Sequence, residues 1–495
     1  MDTRRKQIIL TPAAMGEVDA AAIGSGIDGY GLMQTAGSAI SACVLKNYPQ
    51  AESAVILCGP GNNGGDGYVA ARFLRAAGMP AKLFSLSEPK GLKGDAARAY
   101  ADWGAAVEPI SDLVANRGTV IVDALFGAGL DRPIQGAAAA AMEVVLDSGL
   151  PVVAADLPSG INGRSGRIEG IALKAAHTVT FAAYKPGHFL FPGADHCGAL
   201  ELIDIGIPQR VIDSHSENLW RNEPCIWSAS LPELTPSGHK YMRGHLGVFS
   251  GGHSHTGAAR LAAQSALRSG AGLVTVLTPA SAAFINASHL SAVMLRSIDD
   301  LKALDDLLAD KRFNGFVLGP GFGVGDKARQ FVTRIARAKR QLVLDADGIT
   351  AFSDHPDHLF SSFKGGETRL ILTPHEGEFK RLFPDLEQKH DLSKVDRARI
   401  AAERANGIVV YKGADTVVAA PDGRAVINAN APPWLATAGS GDCLAGIAGA
   451  LLVQGVPPFE AASAAVYFHA LAARRAGPGL TADDLALHVP APGSI

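Results

Sequence analysis

The sequence is short of cysteine, of long apolar runs and of charge. Its 495 residues hold five Cys (Cys43, Cys58, Cys197, Cys225 and Cys443), with no CxxC spacing among them. That excludes a disulfide scaffold and fits a reducing cytoplasm, each thiol packing as a small apolar residue. No stretch approaches the ~18 uninterrupted apolar residues of a membrane span. The opening MDTRRKQIILTPAAM carries basic residues but only a short apolar run before Thr11-Pro12, so no signal peptide is expected. Charged residues make up 19% of the chain, against roughly 25% in typical domains. The net charge of -3 leaves no basic footprint for nucleic acid. Neither a nucleic acid nor a membrane is an expected partner.

Glycine and apolar residues are plentiful. There are 56 glycines, and 47% of the residues are hydrophobic. This composition excludes a disordered chain or a coiled coil and points to an α/β enzyme with many tight turns. The length predicts two or three domains. In the first half, SAVILC, AKLFSL, TVIVDA, PVVAAD, HTVTF and ALELIDI alternate with helical stretches, the pattern of a parallel sheet covered on both faces. The pattern breaks between about Ile207 and Gly238, where Pro208, Pro224, Pro232 and Pro236 interrupt it. A second series follows: HLGVFSGG, LVTVLTP, GFVLGPGFG, QLVLDADG, RLILTPHEGE and IVVYKGADTVVAA. Pro421 to Gly423 read as a hairpin turn. The expected division is a first domain over 1–210, a connection over 211–232 and a second domain over 233–495. Ligands of open α/β sheets bind at the carboxyl ends of the strands, where most of the unusual loops fall.

GPGNNGGDG (Gly59 to Gly67) stands between a strand and an Ala-rich helix. Glycines admit a ligand to the backbone, and a helix start aims N–H groups at an anion. Gly59, Gly61 and Gly64 fit G-x-G-x-x-G, a weak match in a glycine-rich chain. Asn62, Asn63 and Asp66 are the unusual part. Asp66 alone also reads as a helix N-cap, which leaves both Asn unexplained. Two further strand ends supply Asp123 (VDALFGAGLDRP) and Asp156 (AADLPSGING), each of which alone also reads as a turn or cap residue. Asn63, Asp123 and Ser159 together offer oxygens to a hard cation, a donor set that argues against zinc. Asp156 is then a candidate acid–base group.

These motifs, with the opening LTPAAMGEVDAAAIGSGIDGYGLMQTAG, resemble the NAD(P)H-hydrate epimerase (YjeF N-terminal) family over Gln7 to Pro208. The resemblance implies a Rossmann-like three-layer α/β/α domain. It implies a dinucleotide hydrate held by Asn62, Asn63, Gly64, Gly65 and Asp66, by Gly127, Ala128, Gly129, Leu130, Asp131, Arg132 and Pro133, and by Asp156. It also implies a potassium ion on Asn63, Asp123 and Ser159. The implied chemistry interconverts the R and S epimers at C6 of the hydrated nicotinamide ring, with Asp156 moving the proton. Gln34 departs from the Glu that the family often carries there.

TAGSGDCLAG (Thr437 to Gly446) is the most informative segment. Gly439, Ser440 and Gly441 precede a helix and form an anion pocket at its positive end, with Asp442 at the helix start. Asp442 also reads as a plain N-cap. KGADT (Lys412 to Thr416) suits a nucleotide, and an ordinary turn is its alternative. TPHEGEF sets His375 and Glu378 three apart. His375 alone also reads as a satisfied structural His; the pair resembles the N-x-x-E of ribokinase-like enzymes, which implies that Glu378 acts through water on Mg²⁺. Asp345 and Asp347 in LDADG and the glycines of GPGFG (Gly319 to Gly323) are strand-end loops or simple turns.

The G-S-G-D element resembles that of ribokinase-like kinases, in which the Asp deprotonates the acceptor hydroxyl. From His239 to about Gly455 the set resembles the ADP- or ATP-dependent NAD(P)H-hydrate dehydratase (YjeF C-terminal) family. The resemblance implies a ribokinase-like α/β/α domain, with nucleotide on Lys412, Gly413, Ala414, Asp415, Thr416 and Gly441. It places the hydrate on Ala258, Gly321, Gly323, His375 and Asp442, and makes Asp442 catalytic. Glu376 departs from the Pro of many members. Taken together, the halves resemble a bifunctional repair enzyme, an isomerase and a lyase on one chain. It would act on the hydrates of NADH and NADPH (NADHX and NADPHX) with K⁺, Mg²⁺ and ADP or ATP, in the cytoplasm and as a homo-oligomer. A sugar or vitamin kinase with an accessory domain explains TAGSGDCLAG but not NNGGDG. A non-catalytic dinucleotide sensor leaves Asp66, Asp123 and Asp156 without work. An NAD-dependent oxidoreductase has only Glu88 as its ribose-binding acid.

Overall fold

A computed structural model describes residues 7–233, 236 and 239–491. The leader reading at residues 1–6 and the end of the proline-rich connection at 234, 235, 237 and 238 fall outside the described residues. The chain forms two compact units, Met1–Leu219 and Trp220–Ile495. Both are α/β, as the alternating apolar runs predict.

In the first unit, β1 (Ser53–Cys58), β2 (Ala81–Ser85), β3 (Glu108–Pro109), β4 (Thr119–Ala124), β5 (Val152–Ala155), β6 (His177–Phe181) and β7 (Ala199–Ile203) form one sheet. Its order is β3-β2-β1-β4-β5-β6-β7, and every pairing is parallel. Successive residues of β1 enter opposite cores. Ala54, Ile56 and Cys58 pack with Tyr68 and Leu74, whereas Val55 and Leu57 pack with Met142 and Val145. That double burial is why the strand reads as a continuous apolar run. Each Val, Leu or Ile fully buried this way contributes roughly 1.5–3 kcal/mol. The chain runs outward from β1 on one side and from β4 on the other. The loops after β1 and β4 therefore splay apart and open a crevice at the switch point.

The second unit carries β8 (Leu219–Arg221), β9 (His245–Phe249), β10 (Leu273–Thr278), β11 (Met294–Ser297), β12 (Gly315–Leu318), β13 (Gln341–Leu344), β14 (Leu370–Leu372), β15 (Ile408–Tyr411), β16 (Val417–Ala419) and β17 (Ala425–Ile427). The order is β11-β10-β9-β12-β13-β14-β15-β16-β17-β8. Pairing is parallel from β11 to β15 and antiparallel from β15 to β17. The hairpin expected at Pro421 to Gly423 joins β16 and β17, with Gly423 at φ 88°. The helix Ser440–Val453 is buried at every position from Cys443 onward. An all-apolar helix belongs inside a core, which gives Asp442 a rigid base.

The stretch 211–232 is not a free connection. Its second part supplies β8 and the helix Pro224–Trp227 to the second unit. Asn222 is buried there, its amide donating to Asn428 Oδ1 at 3.0 Å and to the Ser463 carbonyl at 2.8 Å. Trp227 donates to Asn222 Oδ1 and packs edge-on against Phe468. Prolines broke the sequence periodicity, but tertiary pairing recovered the segment.

Two candidate active sites

The first site is a cleft of about 610 Å³ at the switch point of the seven-stranded sheet. Asn62, Asn63, Asp66, Gly127 to Arg132 and Asp156 all line it, as expected. Gly64, Gly65 and Pro133 do not. A Cβ on Gly64 would overlap the Gly59 carbonyl, and one on Gly65 would strike Met33, so these glycines let the loop close on itself. The helix begins at Asn62, with Gly61 as a cap that makes no side-chain hydrogen bond. Its first N–H groups are thus free for an anion. Asp66 lies in the second turn, so the N-cap reading fails for it.

Asp156 has a left-handed backbone, φ 64°, a conformation Asp tolerates better than most residues. Its Oδ1 accepts from Lys185 Nζ at 2.6 Å and Thr180 at 3.0 Å, and its Oδ2 from the Ala128 N–H at 3.0 Å. Burial alone would raise this carboxyl. Burial is the largest single influence, but the Lys185 charge, His188 and the hydrogen bonds from Lys185 and Ala128 together outweigh it and hold the carboxyl at about 2. His188 completes the arrangement. Its Nδ1 accepts from the Lys185 N–H at 2.9 Å, so the opposite nitrogen donates to the Asp156 carbonyl at 2.7 Å. Burial, then the Lys185 charge, lowers the imidazole to about 4 and keeps it neutral.

Asp123 and Ser159 sit beneath the cleft floor and bind each other. Ser159 gives its hydroxyl to Asp123 Oδ1 at 2.6 Å and its N–H to Oδ2 at 2.7 Å. Burial lifts the Asp123 carboxyl to about 6. Ser159 also meets the backbone of Phe126. A Cβ on the next residue, Gly127, would stand 3.5 Å from Asn63 Oδ1 and 3.2 Å from Asp156 Oδ2. One turn therefore links all three expected cation ligands. The donors are oxygens, and the buried Nδ2 of Asn63 finds no partner among the described residues.

The second site surrounds Lys412 at the end of β15. Its Nζ meets Asp345 Oδ1, at the end of β13, at 2.8 Å. Burial would lower this ammonium, and Asp345 and Glu378 raise it instead. A Cβ on Gly441 would stand 3.4 Å from Lys412 Nζ and 3.7 Å from Asp345 Oδ2. The start of the helix Ser440–Val453 is thus aimed at the pair. Gly439 caps that helix with φ 84° and no side-chain hydrogen bond, so Asp442 is a first-turn residue rather than the cap. Burial, reinforced by Asp345, lifts its carboxyl to about 7. The GPGFG loop comes close by: Gly323 donates to Asp347 Oδ2 at 2.9 Å, and Gly321 faces Ala258.

His375 is drawn into a local task. Its Nδ1 accepts from the N–H groups of Gly377 and Glu378, and Glu378 Oε2 accepts from the His375 N–H, a reciprocal cap on the helix Glu376–Leu382. In KGADT, Thr416 closes the turn on Gly413, and Lys394 reaches Asp415 at 2.5 Å. Among the described residues no three His, Cys, Asp or Glu are grouped to hold a metal ion directly.

Comparison with known proteins decides between the rivals. A family model described as NAD(P)H-hydrate dehydratase matches residues 246–488, and one described as the YjeF-related protein N-terminus matches 29–187. A bifunctional NAD(P)H-hydrate repair enzyme from Thermofilum pendens is 33% identical over 93% of this chain and 91% of its own. One from Gloeobacter violaceus is 36% identical over 96% of each. The chain belongs to the bifunctional NAD(P)H-hydrate repair enzymes. An ADP/ATP-dependent NAD(P)H-hydrate dehydratase from Bacillus subtilis, crystallised with ATP/Mg²⁺, is 28% identical, with a TM-score of 0.45 over 53% of this chain and 93% of its own.

Within that family frame, Glu376 has a use of its own here. It accepts from Tyr411 Oη at 2.6 Å and pairs with Lys380. Lys185, His188, Asp19 and Lys394 were not singled out from the sequence. Lys185 and His188 stand in YKPGHF directly after β6, and a Lys and a His beside a Pro-Gly turn at a strand end were a readable signal. Asp19 and Lys394 lie inside ordinary helical patterns that carry none.

Proposed function

We propose that the first unit epimerises NAD(P)H hydrate at C6 with Asp156 as its ionised carboxylate, and that Asp442 of the second unit activates the C6 hydroxyl for phosphorylation. The functional domains coincide with the two compact units. The observation that carries the reading is the opposite treatment of these two carboxyls. Lys185 keeps Asp156 charged, whereas Asp442 is set near 7, where a base takes and releases a proton at neutral pH.

In the first unit, the free N–H groups at the start of the helix Asn62–Ala76 suit the dinucleotide phosphates. Held ionised, Asp156 stabilises positive charge as it develops on the ring, in place of the proton transfer that the family resemblance implies for it. Asn63, Asp123 and Ser159 would hold K⁺, which supplies a counter-charge to the buried Asp123. In the second unit, the KGADT turn and Gly441 bind ADP or ATP, and the Gly439-Ser440-Gly441 helix start receives the transferred phosphoryl group. Ala258, Gly321, Gly323 and His375 face the hydrate. Lys412 sits beside the reacting oxygens and offsets their charge. Glu378 would hold hydrated Mg²⁺ through water, which supplies charge neutralisation between phosphates. Asp442 takes the C6 hydroxyl proton, oxygen takes the phosphoryl group, and loss of phosphate with a C5 proton restores the double bond. Phosphate leaves far more readily than hydroxide.

Cys43, Cys58, Cys197 and Cys443 carry free thiols, which supports a cytoplasmic site of action, and no helix of the described residues is long and apolar enough to cross a membrane. A homo-oligomer remains part of the reading, and light scattering tests it. The decisive assay incubates the chain with S-hydrate, Mg²⁺ and ADP or ATP and follows NAD(P)H absorbance. No recovery with either nucleotide sinks the reading. Epimer exchange should also depend on K⁺. Equal rates in potassium and tetramethylammonium buffers would remove the ion.

A further inference from the structure

We propose that Asp19 is the proton donor of the epimerase reaction. The inference rests on the first unit being an epimerase. Asp19 lies on the helix Pro12–Gly24, where Met15, Asp19 and Ile23 recur every fourth residue and all line the cleft. That spacing puts them on one stripe, so the carboxyl enters the cleft between a thioether and a branched alkyl chain. It makes no hydrogen bond or ion pair among the described residues.

Charge counting then favours a proton on it. The groups facing it across the cleft are Asp66, Asp95, Asp131, Arg132, Asp156 and Lys185. The Lys185 charge is taken up by Asp156 at 2.6 Å, and Arg132 is exposed at the rim. Asp19 and Asp66 therefore face an ionised Asp156 with no cation of their own. Burial pushes the Asp19 carboxyl up to about 6, Lys185 opposing and Asp156 adding to it. Asp66 is more deeply buried, and burial raises it too. A group near 6 releases its proton around neutral pH. Asp19 is thus set to give and retake a proton, while Asp156 stays ionised beside it.

The step balances as follows. The Asp19 carboxyl O–H protonates the C6 hydroxyl oxygen, the C6–O bond breaks with its electron pair leaving on water, and the N1 lone pair forms N1=C6. Asp156 steadies the cationic ring. A water then adds to C6 from the opposite face, and the N1=C6 pair returns to N1. The surplus proton on oxygen passes through cleft water back to the Asp19 carboxylate, so nothing is consumed.

The test uses the full chain and R-hydrate of NADH. In the unaltered chain, kcat/KM for R-to-S conversion should fall about tenfold per pH unit above about 6. A flat profile from about pH 5 to 8 overturns the proposal. Asp19→Asn should lower kcat roughly 10²–10⁴-fold, with KM within about threefold, and Asp19→Glu should recover part of the loss. Nucleotide-driven recovery of NADH from S-hydrate should stay unchanged in both variants, which shows that the chain is folded. Epimerisation by Asp19→Asn within about threefold of the unaltered chain would also overturn it. An unaltered chain that converts no R-hydrate refutes the epimerase assignment instead.

Discussion

Asp156 follows a strand and Asp442 stands in the first turn of a helix; both are partly buried carboxyls, and their neighbours set them apart. Asp442 is raised to about 7, so its native state prefers the proton. The stability it contributes is complete below the unfolded value near 4 and is lost as pH rises through 7. Asp442→Asn should therefore abolish nucleotide-driven recovery and leave epimerisation intact. It should also stabilise the second unit at pH 8 by about 2 kcal/mol, read by thermal unfolding. The kcat/KM of dehydration in the unaltered chain should climb as pH rises through about 7, because the base must be ionised. Asp156 runs the other way. Held at about 2 by Lys185, it contributes stability above the unfolded value that is lost as pH falls through 2. Lys185→Met strands that carboxylate and should cost about 3 kcal/mol at pH 7 together with the epimerase activity. Denaturant titration reads the first and epimer exchange the second.

At the scale of elements, both sites are strand ends that deliver backbone in unusual conformations. Among non-glycine residues, Asp156 after β5, Ala182 after β6 and Ala346 after β13 all have positive φ. Such strain persists only where surrounding structure over-determines it. The glycine loop after β1 works by close approach. Gly64→Ala would drive a methyl into the Gly59 carbonyl, opening the loop and tilting the helix Asn62–Ala76 that it starts. An epimerase loss of at least tenfold and a destabilisation of roughly 1–3 kcal/mol are expected, with dehydration unaffected. Near-normal epimerisation by this variant would mean that the loop does not position the substrate.

At the scale of the whole molecule, charge and division count most. On the proposed reading, a chain of net charge -3 binds anionic dinucleotides through the helix starts at Asn62 and Ser440, whose backbone N–H groups take the place of a basic surface. The boundary at Leu219 and Trp220 makes a concrete prediction. A fragment over 220–495 should fold and dehydrate, whereas one over 233–495 lacks the buried Asn222 and Trp227. The shorter fragment should be less stable by at least about 3 kcal/mol, the usual cost of losing a buried Trp. Equal melting of the two would show that β8 and Pro224–Trp227 only decorate the unit.

The α/β class, most strands, the Pro421 to Gly423 hairpin and the glycine-rich loops were legible in the sequence, because period, turn chemistry and helix starts are set by neighbours along the chain. The short strands β3, β8 and β11 carried too little pattern to be seen. Asn62, Asn63, Asp123, Asp156 and Asp442 stood out as candidates because they sit in or beside such loops. Lys185 stands 29 residues from Asp156 and Lys412 stands 67 from Asp345, separations over which no local rule speaks. Tertiary structure alone decided those pairings, the capping role of His375 and the entry of Asp19 into the cleft. It decided them because a carboxyl's charge depends on what excludes water from it and on which ammonium comes within hydrogen-bond reach. Both are properties of the folded packing rather than of the chain.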